Sequence, residues 1–287
     1  MSKSPRLDLR PGKPPGEELR KIAKIHLEAA ITSLRGNNVS PEPVHRARTS
    51  IKKARAILQL ASPALGSVRR RQMAELLRNA SSRLAPLRDS EVQVQTLDLL
   101  AEAEGLSTEE CASLRAGLID IAKQNRINGS RQIPRVISLL GEMRDSLPKW
   151  PLEPLGMKEL RRRVRRIYRR GRTTLDLCRA SDDAEVFHAF RKSVKQLWYA
   201  LRITASYWPD DARDLIHELE LLGELAGKER DDSLLETTLR SGPRNGASQK
   251  LLEALSLERP NLRMAVLAGA ANFYDARPKD FAAVMSV

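Results

Sequence analysis

The segment VHRARTSIKKARAIL, residues 44–58, recurs in altered form as FHAFRKSVKQLWYAL, residues 187–201. In both, a histidine is followed by an arginine three positions later and a lysine seven later, with apolar residues between them. His45 and His188 lie 143 positions apart, about half of the 287-residue chain. A helix turns about 100° per residue, so His45, Arg48, Lys52, Arg55 and Gln59 fall within an arc of roughly 80°. Val44, Ala47, Ile51, Ala54 and Leu58 form an apolar arc roughly 100° round from it. In the second copy His188, Arg191, Lys195 and Arg202 share the polar stripe, beside an apolar one of Phe187, Phe190, Val194, Leu197 and Leu201. Each segment therefore reads as an amphipathic helix with a core face and a cationic stripe. One basic stripe is ordinary solvated surface; its repetition with matched residue types marks a built feature.

Outward from these segments the chain reads as helix nearly throughout, and strand-like alternation is almost absent, so the expected class is all-α. Residues 1–16, with little periodicity and several prolines and glycines, read as a flexible arm. Residues 17–35 are amphipathic and stop at Gly36-Asn37-Asn38. Ser40 and Pro41 open the first repeated helix. Further helices are expected over 68–87 and 90–103, with Asp89 as the cap between them, and Ser107 to Glu110 carries the pattern of a capping box. Pro148, Pro151 and Pro154 place a boundary between halves near residue 150, giving units 17–150 and 151–287. The second half opens with a basic helix from Leu155, continues with a repeated helix from Asp183 and a helix from Asp210, and ends in shorter helices after Asp231.

The net charge of +14 and the pI near 10.2 favour polyanionic partners: nucleic acid, polyphosphate or an anionic membrane. Arginine outnumbers lysine 36 to 14, and the guanidinium fork matches phosphate oxygens bidentately. Aromatic residues are only 4% and sit mostly in apolar stripes, which disfavours a single-strand binder built on stacking. No zinc-finger, RNP or KH signature occurs. No apolar run reaches the length of a membrane span and the N-terminal stretch has no secretory h-region. Cys111 and Cys178 form no CxxC, which fits two buried thiols and a reducing, cytoplasmic setting.

The densest charge is LRRRVRRIYRRGR, residues 160–172. Leu160, Val164, Ile167, Tyr168 and Gly171 keep an apolar stripe, while Arg162, Arg165, Arg166, Arg169 and Arg170 occupy the other faces. This helix reads either as a lining for the same groove as the repeated stripes, as a separate nucleic-acid patch or as a membrane-surface helix. Lys21 and Lys24 hold the corresponding place in the first half, so the expected groove is richer in arginine on its second side. The four histidines, His26, His45, His188 and His217, show no metal-ligand spacing, and no nucleophile, phosphate-cradling glycine loop or carboxylate cluster is visible. The expectation is a binding protein without catalysis, metal or cofactor. His45 and His188 have two open roles, a structural hydrogen bond or a phosphate contact. Arg88-Asp89 and Arg230-Asp231 read as packing ion pairs.

The order His-x-x-Arg-x-x-x-Lys in each half, followed by Arg55 in the first and Tyr199 in the second, resembles the CHAD family, the conserved histidine α-helical domains. LAPLRDSEV (84–92) and LLGELAGKERDDSLL (221–235) extend the resemblance to about residues 17–280. It departs at Trp198, where a basic residue is usual, and in extra residues before Arg230. The resemblance implies two four-helix-bundle-like halves related by a pseudo-twofold axis, with basic residues of both lining a groove or pore that binds inorganic polyphosphate, and association with polyphosphate granules. On that reading Arg48, Lys52, Arg55, Arg191, Lys195 and Arg202 contact phosphates, with His45, His188 and a Tyr199 hydroxyl beside them. Arg162, Arg165, Arg166 and Arg169 extend the surface. The alternatives are a nucleic-acid-binding or nucleoid-associated protein using the arginine helix, and a granule scaffold that recruits protein partners.

Overall fold

The two repeated segments are helices α2 (Pro41–Leu65) and α7 (Ala184–Ile203) of a computed structural model that describes residues 6–35, 40–209 and 212–285. Every residue of the two apolar stripes, from Val44 to Leu58 and from Phe187 to Leu201, is buried. Burial of each large side chain contributes about 1.5–3 kcal/mol against exposure, which explains why these faces point inward. Asp183 caps α7 by accepting from the Glu185 N–H at 2.8 Å. Ser40 precedes α2 with Pro41 in its first turn, but its side chain makes no cap bond. The Gly36-Asn37-Asn38 stop lies outside the described residues.

The described residues form α-helices and two short 3-10 turns, without strands. α2 packs on α1 (Pro15–Leu34) and α3 (Ser67–Ala103), while α4 (Thr108–Ser130) lies against α3 and α5 (Ile133–Ser146) against α1 and α3. α7 packs on α6 (Met157–Arg179) and α8 (Ala212–Ser241), while α9 (Gly246–Phe273) lies against α8 and α6 and α10 (Pro278–Ala283) against α6. The capping box at Ser107 and Glu110 forms as the sequence pattern predicts.

α3 and α8 overturn two expected boundaries. α3 runs unbroken through Pro86 and Asp89, so Asp89 caps nothing, and α8 runs through Asp231 to Ser241. The reason is packing: Leu77, Ala80, Leu84, Leu87 and Leu97 keep one buried stripe across the expected break, and Leu219, Leu222, Ala226, Leu235 and Leu239 do so in α8. After α8 the chain forms the 28-residue α9 rather than only short pieces.

The core does not divide at residue 150. One apolar cluster joins α1, α2, the first part of α3, α5, α6, α7, the first part of α8, the last part of α9 and α10, and includes Trp150, Leu152 and Leu155 from the proline-rich connection. Arg20 clamps that connection by donating to the Trp150 carbonyl at 2.6 Å. A smaller cluster joins Leu97 and Leu100 of α3 and Leu114 of α4 to Leu235 of α8 and Leu251 of α9. The expected arm is also docked over its described part. Leu7 and Leu9 are buried, the Leu9 N–H donates to the Ile203 carbonyl at 2.8 Å, and Ser206 Oγ donates to the Leu9 carbonyl at 2.7 Å. Two leucines in an otherwise aperiodic stretch carry too little pattern to announce that docking.

Candidate functional site

α2 packs on α3 and α7 packs on α8, while α2–α7 and α3–α8 contacts close the four into one assembly. The polar stripes of the two repeated helices meet in it. Lys52 is solvent-accessible, yet protein surrounds it and its neighbours are Arg191, Arg48, Lys195 and Arg88. Desolvation first, then these four positive charges, pull its amine down to about 8. Arg48 donates to Asp89 Oδ1 at 3.4 Å, while its second terminal nitrogen is buried without a partner. Arg191, half-buried, leaves its Nε buried and unpartnered, and is tempered by Asp231 and opposed by Arg230. Asp89 and Asp231 stand among Arg48, Lys52, Arg88, Arg191, Lys195 and Arg230. Glu220 and Glu224 act on Lys195, and Glu229 acts on Arg191 while itself committed to Arg259 and Arg263, so the six cations still outnumber the carboxylates. A cluster of crowded, partly dehydrated cations gains most from an anion that supplies many oxygens at once.

Two glycines shape the second wall. Lys195 lies across Gly223 of α8, where an added Cβ would come within 2.6 Å of Lys195 Cε. Arg191 passes over Gly227 at van der Waals distance. Trp198, where the repeat departs from a basic residue, carries cations on its ring instead: Lys195 Nζ stands 4.9 Å and the Arg202 guanidinium 4.8 Å from its centre. Arg55 turns to α3, donating to Ser81 Oγ at 3.1 Å and to the Leu77 carbonyl at 3.4 Å. Tyr199 is buried against Trp198, and burial pushes its hydroxyl up to about 12. It supports the site from behind rather than facing into it as expected.

Each histidine sits beside the cations of its own half. Burial, then Arg88, lowers His45, and burial, then Lys192, Arg230 and Arg191, brings His188 down to about 4. His188 is therefore neutral at pH 7, with its Nδ1 buried and unpartnered.

Arg88 and Arg230, read in the sequence as halves of packing ion pairs, stand among the cations of the cluster. Asp89 pairs with Arg48, which leaves Arg88 beside His45, Lys52 and Asp231. Their signal is in the sequence: the two Arg-Asp elements are 142 positions apart, within one residue of the histidine offset.

The arginine helix goes elsewhere. α6 has α7, α10, α2 and α9 as its main neighbours, and Arg162, Arg165, Arg166 and Arg169 are exposed on it. Arg162 stands 3.8 Å from Glu159, and Arg166 groups with Arg163, Arg170 and Arg70 rather than with Lys52 or Arg191. Lys21 and Lys24 of α1 are paired with Glu17, Glu18 and Glu28. The expected extension of the groove along α6 is not what these neighbours describe.

A cavity of about 630 Å³ lies apart from the cluster, between α7 and α9, but its Arg259 and Arg263 are committed to Glu229 and Glu236. Among the described residues no set of three or more His, Cys, Asp or Glu could hold a metal ion, and no helix is long and apolar enough to cross a membrane. Cys111 and Cys178 are buried free thiols, both pushed up by burial.

The family model of the CHAD domain matches residues 21–240. The CHAD domain crystal structure from the plant Ricinus communis is similar at a TM-score of 0.65 and 19% identity, over 96% of this chain and 98% of that one. PptA from Streptomyces chartreusis is similar at 0.63 and 15%, over 92% and 100%. At these identities the likeness is one of fold. No curated protein matches the chain.

Proposed function

The chain belongs to the CHAD domain family, and from that premise we propose that it binds inorganic polyphosphate, without catalysis, in the groove between α2, α3, α7 and α8. One observation carries the reading: the cationic stripes of both repeated helices converge with Arg88 and Arg230 on a surface whose positive charge its own carboxylates do not balance. A linear polyanion neutralises such a row continuously and releases its own counterions, by analogy with nucleic acid. Related pairs, α2 with α7 and α3 with α8, supply the two sides, which supports the pseudo-twofold arrangement implied by the resemblance. Binding inside the cell and at polyphosphate granules belongs to the same proposal.

The deciding experiment is competition. Polyphosphate bound at near-physiological salt should stay bound in a large excess of duplex DNA, because a flexible chain can meet the crowded cations of both repeated helices at once. Ready displacement by duplex would mean that the protein is a generic cation.

A Gly223→Ala substitution tests the second wall. Alanine in a helix interior is favoured over glycine by about 1 kcal/mol, so the melting temperature should hold or rise. The new methyl displaces Lys195, and polyphosphate affinity should fall several-fold, about 1 kcal/mol. Unchanged affinity would mean that the position of Lys195 does not matter.

A further inference from the structure

The outer face of α6 is not absorbed by the groove. Arg165, Arg166, Arg169 and Arg170 are exposed, and no ion pair is formed by any of them among the described residues. Arg163 anchors the helix to α2, with its Nε donating to the Gln59 carbonyl at 2.8 Å. Burial, then Arg166, Arg70 and Arg170, lowers the Arg163 guanidinium, so these four arginines from two helices form one crowded cluster. Arg70 is flanked by Arg69 and Arg71 in the first turn of α3, which holds no acidic residue. Positive charge there opposes the helix dipole and adds to the repulsion. None of the charges that act on Lys52 or Arg191 comes from this cluster, and none that act on Arg163 comes from the groove.

We propose that this face of α6, with Arg70, is a second anion-binding surface that takes the phosphate backbone of double-stranded nucleic acid, independently of the groove. The shape argues for a duplex. The arginines project from the outside of a helix, and from Arg162 to Arg170 that face extends about 12 Å, enough to cross more than one backbone phosphate. Single strands need stacking rings, and no aromatic side chain is exposed on α6. Insertion into a membrane needs apolar surface, and α6 exposes a single large apolar residue, Leu177. Contacts to phosphates alone carry no base information, so the binding is independent of sequence.

The test uses the full chain, a 20-base-pair DNA of arbitrary sequence and long-chain polyphosphate. In the variant Arg165→Glu/Arg166→Glu/Arg169→Glu/Arg170→Glu, duplex affinity should fall at least about 100-fold and the slope of log affinity against log salt should shrink by about 3. Polyphosphate affinity should stay within about twofold of wild type, because these residues stand outside the groove. The milder Arg→Gln set at the same four positions should give the same pattern and guards against loss of folding, which circular dichroism checks. Protein saturated with polyphosphate should still take up duplex. The proposal is overturned if duplex affinity is unchanged in both variants, if wild type prefers anionic vesicles to duplex, or if polyphosphate affinity falls with duplex affinity. A groove variant, Lys52→Glu/Lys195→Glu, keeps the two readings apart: failure of wild type to bind polyphosphate would sink the groove, while the duplex measurement still decides α6.

Discussion

Polyphosphate affinity should fall by at least about 100-fold in the Lys52→Glu/Lys195→Glu double variant, while its helicity and cooperative melting stay intact. Lys52 is solvent-accessible and ringed by Arg191, Arg48, Lys195 and Arg88, so a carboxylate there finds cations and folds without strain. For the ligand the same change is severe, because each reversal removes an attraction and adds a repulsion in a partly dehydrated groove. Titration gives a second readout of the same charge. The Lys52 amine, held at about 8, is protonated below that pH and neutral above it. A bound polyanion favours the protonated form, so affinity should decline as pH rises through 8, by up to about tenfold per unit. A Lys52→Arg variant stays charged across that range and should flatten the decline. Calorimetric titration from pH 6 to 9.5 measures both. Full affinity in the double variant, or a pH profile unaffected by Lys52→Arg, would remove Lys52 from the site.

Salt and chain length give the second large effect. With Arg48, Lys52, Arg88, Arg191, Lys195 and Arg230 each neutralising one phosphate, the log–log salt slope should be about −4, taking the single-strand coefficient. Raising salt from 50 to 200 mM should then weaken long-chain binding roughly 300-fold. Triphosphate carries fewer charges than the groove has cations and cannot serve both walls together, so it should bind at least about 100-fold more weakly than chains of several tens of phosphates. Equal affinities for triphosphate and long chains would mean one local anion site instead of a groove shared by α2 and α7.

The convergence of Arg48, Lys52, Arg191 and Lys195 was legible because the repeat supplies its own control: residue types that match across two distant helices mark the positions that matter. Helix faces were legible too, since the apolar periodicity of α2 and α7 is strong and every stripe residue is buried. What a stripe does not carry is the identity of its neighbour. The arginines of α6 lie on the correct polar faces, yet which side of α6 meets the groove depends on how α6 packs on α7 and α10. Arg88 and Arg230 read as paired because an Arg-Asp dipeptide looks self-satisfied in sequence. In a helix adjacent side chains diverge by about 100°, so Asp89 reaches Arg48 on α2 and leaves Arg88 to face His45, Lys52 and Asp231. Pro86 and Asp89 suggested a break, but local breaking signals lose to a long buried stripe.

The smaller apolar cluster sets an order of events during synthesis. Leu97 and Leu100 share their apolar cluster with Leu114 of α4 and with Leu235 of α8 and Leu251 of α9, and Thr238 reaches across to donate to Gln93, 145 residues earlier. A ribosome adds about 5–20 residues per second, so the far end of α3 waits on the order of ten seconds for the helices that cover it. During that interval the first repeated helix and its arginines are already made, but the wall opposite them does not exist. The cluster is thus completed only when α8 brings in Arg230, and a nascent chain stalled before α8 would carry an incomplete binding surface beside uncovered leucines. Such a chain is a natural client for chaperones.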